Sequence, residues 1–147
     1  MKKLKLTAYL SVIILVISCR NNDQADSPLL GTWKAAKTMT VSGNNGVILL
    51  QNSLTGCESN TTYQFWSNGD FEYNQYCSSP SVRETGTFSY GESTKVITFY
   101  ITSGGGNQQG SETLYALTES EMQIITGKTD YDNDGVLDTS IIIYIRQ

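Results

Sequence analysis

Histidine is absent from all 147 residues. That removes imidazole bases, histidine triads and most catalytic zinc sites. Neither Gly-x-Ser-x-Gly nor a Ser-x-x-Lys behind the polar segment at residues 20–28 occurs, so two common nucleophile arrangements are missing as well. The apolar run Leu10–Ile17, broken only by Ser11, is far short of the roughly 20 residues that a bilayer-crossing helix needs. From Leu29 onward no long stretch has helical spacing. Basic residues are few, 10 against 14 acidic ones, and an acidic chain repels phosphate backbones, which argues against nucleic acid as a partner.

What is present begins with a leader. Lys2, Lys3 and Lys5 precede the apolar run, Ser18 and Cys19 close it, and Arg20-Asn21-Asn22-Asp23-Gln24 turns abruptly polar. This is the pattern of a secretory signal. Val16-Ile17-Ser18-Cys19 resembles the bacterial lipobox, in which the peptide is cut before the cysteine and the cysteine is acylated. The resemblance implies a signal peptide over 1–18, a lipidated tether over 19–28 and a domain over 29–147. The other reading is an ordinary cleaved signal with a stray cysteine. At about 0.8 kcal/mol per buried methylene, two or more acyl chains of palmitate type hold durably where one is marginal. Losing the three leading lysines leaves 7 basic against 14 acidic residues, a net of −7. Arg20 is unlike the aspartate that retains many lipoproteins at the inner membrane, so the expected site is the cell envelope, on the outer membrane.

The remainder reads as short β-rich runs punctuated by Gly, Asn, Ser and Asp. Strands are predicted over Thr32–Val41, Val47–Gln51, Thr61–Trp66, Phe71–Gln75, Arg83–Tyr90, Lys95–Thr102, Glu112–Leu117, Glu121–Thr126 and Thr139–Arg146. Ser67-Asn68-Gly69 predicts a tight hairpin with the positive φ angles of a primed turn. The glycine-rich 104–110 stretch lacks the Lys-Ser/Thr of a phosphate cradle and reads as a flexible hairpin loop. About nine strands on short connections imply an all-β, antiparallel, up-and-down barrel of eight to nine strands, with a β-sandwich as the alternative.

Leu30-Gly31-Thr32-Trp33-Lys34 opens the domain. Further on come Cys57, Tyr63, Phe65, Asn68-Gly69, Cys77 and Gly86-Thr87-Phe88. In that order these features resemble the lipocalin-like domain of small Gram-negative lipoproteins. The resemblance implies a cup open at one end, and a barrel-closing pair in which Arg146 of the last strand stacks on Trp33. Trp33 as plain core and Arg146 as a free terminal charge is the other reading. Thr129-Asp130-Tyr131 spells a second lipocalin motif, but in an acidic loop.

Cys57 and Cys77 lie 20 residues apart around the Thr61–Tyr76 hairpin in an exported chain, where cysteines pair. A disulfide is expected; two free thiols are the alternative. Asp130-Tyr131-Asp132-Asn133-Asp134-Gly135-Val136-Leu137-Asp138 follows the first nine places of a Ca²⁺ loop. Asp130, Asp132, Asp134 and Asp138 would bind through carboxylates and Val136 through its carbonyl, at low affinity and with a structural role. The same residues also make a plain solvated turn.

Three functions remain. The first is a non-enzymatic binding module for a small apolar or amphipathic molecule, favoured by tyrosine-rich strands. The second is a solid structural or protein-interaction module, with Tyr63, Tyr73, Tyr76, Tyr90, Tyr100 and Tyr115 as contacts. The third is a hydrolase using carboxylates such as Asp70, Glu72 or Glu84.

Overall fold

Period-two alternation decides which side chains share a face. Tyr63 and Phe65, then Phe71 and Tyr73, project to one side and find each other across a hairpin, Tyr63 opposite Tyr73 and Phe65 opposite Phe71. The computed structural model describes residues 27–147. It contains one antiparallel sheet of nine strands. These are β1 Gly31–Val41, β2 Ile48–Ser53, β3 Thr62–Phe65, β4 Asp70–Gln75, β5 Val82–Gly91, β6 Val96–Ile101, β7 Gln108–Leu117, β8 Glu121–Thr129 and β9 Asp138–Arg146.

The sheet closes on itself. β1 pairs with β9 from Trp33–Arg146 to Val41–Thr139, and β3 through β9 follow in sequence order. The sandwich alternative falls with that closure. One strand departs from simple up-and-down order. At about 3.3 Å per residue, β1 is long enough to serve two neighbours on one edge. Gly31–Lys34 pair with β3, and Lys37–Val41 pair with β2. The ring therefore has eight strands, with β2 appended to the second half of β1.

The core is aromatic and fills one end. Trp33, Phe65, Phe71, Phe88, Phe99 and Met122 are buried together, with Phe71–Phe99 and Phe65–Phe88 ring centroids at 4.7 and 4.8 Å. A second apolar cluster, Met39, Val41, Ile141 and Ile143, sits on the opposite face of β1 and β9. β9 carries isoleucine on both faces, so strict alternation fails there.

Two local expectations change. Only Gly69 of the Asn68-Gly69 pair has positive φ, at 88°, and the Gly69 amide donates to the Trp66 carbonyl while Trp66 pairs with Asp70. A three-residue loop of this kind is a type I turn followed by a bulge, not a primed turn. The 104–110 stretch is only partly loop. A 3₁₀ turn covers Ser103–Gly105, and Gln108–Gly110 already pair with Phe99–Ile101 in the sheet.

Candidate ligand-binding site

The closed end shows why Gly31 precedes Trp33. Trp33 is fully buried, and its indole Nε1 donates to the Leu29 carbonyl at 2.7 Å. The Arg146 guanidinium carbon lies 4.1 Å from the indole centroid, a favourable cation–aromatic arrangement. Arg146 also donates through Nη2 to the Pro28 carbonyl at 2.6 Å, through Nη1 to Leu30 and through Nε to Glu119. Gly31 has φ of 117°, and a Cβ there would stand 2.8 Å from Arg146 Nη1. Glycine alone accepts both that backbone and that neighbour. Ser27 and Pro28, assigned to the tether by sequence, are thus tied into the barrel base, Ser27 by the Leu30 amide.

The other end is hollow. A cavity of about 450 Å³ opens there, with Tyr73 and Tyr144 among its lining, Ala35, Thr38 and Ile142 on its wall, and Glu58 and Cys77 also beside it. Tyr63 packs against both tyrosines, at 4.6 Å from Tyr73 and 5.4 Å from Tyr144. Burial pushes the Tyr63, Tyr73 and Tyr144 phenols up, and Glu112 adds to the rise in each case. Burial alone raises the Glu112 carboxyl above its ordinary value. The solid-interaction reading therefore loses its premise for this half of the barrel. Of the six tyrosines singled out by sequence, Tyr76, Tyr100 and Tyr115 are exposed. Tyr144, which was not singled out, belongs to the cup; its position opposite the core residues Ala35 and Met122 is the signal that marks it.

A family model described as the lipocalin-like domain matches residues 29–124. The chain belongs to that family. A crystal structure of a lipocalin-like protein from Bacteroides uniformis is similar at a TM-score of 0.46 and 12% identity, covering 82% of this chain and 100% of that one. No curated protein matches.

In this lipocalin-like domain Cys57 and Cys77 form a disulfide with Cα atoms 5.1 Å apart. It ties the Glu58–Asn60 3₁₀ turn to the segment after β4. Glu72 points outward to Arg83 at 2.6 Å, and that ion pair with the Asn74 amide holds its carboxyl below the usual range. Cys19 lies outside the described residues.

The acidic loop is a turn braced by its own side chains. One oxygen each of Asp130, Asp132 and Asp138 converge within 4.8 Å. Asp134 instead accepts from the Val136 amide at 2.8 Å and from Asn44 Nδ2 at 3.1 Å. Asp130 accepts from the Asp134 and Gly135 amides. Asp138 is buried and accepts from the Gly43 amide at 3.0 Å and the Tyr131 amide at 2.7 Å. Those two amides hold its carboxyl below the ordinary value. Three converging carboxylates are about half of the six to eight oxygens that Ca²⁺ takes, while Asp138 visibly pins this loop to the β1–β2 turn. That link spans 95 residues, so no local pattern announces it.

Proposed function

We propose that this lipocalin-like domain is a lipid-anchored binding module of the outer membrane, holding a small amphipathic molecule without transforming it. The observation that carries the reading is the cup. Its volume of about 450 Å³ falls in the roughly 300–1,000 Å³ range of small-molecule sites. It has an aromatic side in Tyr73 and Tyr144 and polar groups in Thr38, Gln75 and Glu58, which suits a ligand with an apolar body and a polar end.

Native mass spectrometry of protein purified from its host tests this. Wild-type protein should carry an added small-molecule mass that denaturation releases. Thr38→Trp, which places an indole in the cup, should lose that mass and bind added ligand at least about tenfold more weakly, a change of about 1.4 kcal/mol. Equal occupancy in both proteins would place the molecule elsewhere.

The anchor is supported by the lysine-rich start, the short apolar run and Cys19. Cys19→Ala should move the protein from the membrane pellet to the soluble fraction or leave it as unprocessed precursor. Unchanged fractionation with normal processing would overturn the anchor and leave the cup untouched.

A further inference from the structure

The charge lining the interior narrows the ligand class, and this inference rests on the binding reading above. Tyr63, Tyr73 and Glu84 stand in one row across β3, β4 and β5, each directly opposite the next. Opposed residues in antiparallel strands project to the same side, so Glu84 follows two tyrosines into the barrel. Glu112 stands opposite Ile97, a fully buried core residue, and it too points inward. Both glutamates are half-buried. Among the described residues neither has an ion-pair partner, and the ion pair that does exist, Arg83 with Glu72, is on the outside.

The aromatic side chains of the interior carry the same electrical sense. Tyr63 is 7% exposed and Tyr144 4%, so both rings are buried in the interior. Tyr73 and Tyr144 line the cup itself. Three tyrosine rings and two inward carboxylates share one electrical sense. Ring faces attract cations, and half-buried carboxylates without an ion-pair partner attract a counter-charge. A hard metal ion would take oxygen ligands but gain little from ring faces. An organic cation uses both. The net of −7 expected for the processed chain would also draw cations toward the protein.

We propose that the cup selects a small organic cation, with an ammonium-type head between Glu84, Glu112 and the tyrosine rings. Its apolar body lies along Ala35 and Ile142. The full chain in non-ionic detergent is titrated calorimetrically with hexyltrimethylammonium, 1-hexanol and hexyl sulfate, with the heats into detergent alone subtracted. The ammonium probe should bind at least about tenfold more tightly than hexanol, a ratio within reach of one buried cation–aromatic contact plus a carboxylate, and the sulfate should bind least. Glu84→Gln/Glu112→Gln should erase the preference for ammonium while hexanol binding stays, and Glu72→Gln on the outer face should change nothing. Removing two half-buried, unpaired charges does not threaten the fold, and the wild-type series decides the matter without any variant. Equal binding of all three probes would overturn the charge selection and leave the cup as a binding site. No binding by any of them would overturn both.

Discussion

Replacing Trp33 with alanine should cost about 4 kcal/mol of stability, a large share of the roughly 5–15 kcal/mol typical of a domain. Emptying a fully buried large aromatic position costs about 3–5 kcal/mol in transfer and cavity terms, and Trp33 has no accessible surface. Two further losses act in the same direction. The Leu29 carbonyl gives up its indole donor, and Arg146 gives up the ring on which it lies. Arg146 would keep its bonds to the Pro28 and Leu30 carbonyls, so the base would loosen more than open. Equilibrium urea unfolding measures the effect. The midpoint should fall while the slope, which tracks surface exposed on unfolding, stays nearly constant. Fluorescence supplies an internal control. The chain has two tryptophans, Trp33 buried and Trp66 38% exposed, so the variant should lose the blue-shifted emission and keep the red. A loss under about 1 kcal/mol would mean that Trp33 merely fills space that its neighbours can reclaim.

The strands were legible because alternation is a local property. β4, β5 and β9 lie within a residue or so of where Phe71–Gln75, Arg83–Tyr90 and Thr139–Arg146 were expected. Local patterning could not say that β1 serves three partners. Its length was legible, as Thr32–Val41 against the observed Gly31–Val41, but the register shift between Ala35 and Lys37 has no sequence signature. It also could not say what the inward face holds above the aromatic core. Glu84-x-Gly86-x-Phe88 and Glu112-x-Leu114 carry the necessary signal, since period two puts each glutamate on the side of a buried residue. The general rule that charge faces water conceals it. Glu72 lies on the outer face and Glu84 on the inner one, although both are half-buried and they lie on adjacent strands. The difference is one of register: Glu84 is paired with Tyr73, and Glu72 with Gln64 and Thr85. Asp138 fails the rule for another reason, because one of its two amide partners, Gly43, comes from a turn 95 residues away.

The disulfide bears on both stability and the cup, and the two effects separate on reduction. Cys57 and Cys77 close a loop 20 residues in span, for which chain entropy gives about 3 kcal/mol, acting on the unfolded state. Cys57→Ser/Cys77→Ser should therefore unfold at distinctly lower urea while its buried Trp33 emission, set by the far end of the barrel, stays native. The cup responds differently, because Cys77 and Glu58 line it and Glu58 begins the 3₁₀ turn next to Cys57. Without the bond, the 54–61 segment is held at its start by the Leu54 amide on the Ala36 carbonyl and at its end by the Ala35 amide on the Thr61 carbonyl, with its middle free to move. Hydrogen exchange should accelerate in that segment well before β9 is affected, since local opening needs only the contacts of the segment that moves. Affinity for a hexyl probe should drop in parallel, through a wall that no longer stays in place. If the variant instead exchanged uniformly faster across all strands, with binding unchanged, the bond would be a stabiliser of the whole barrel and no part of the cup.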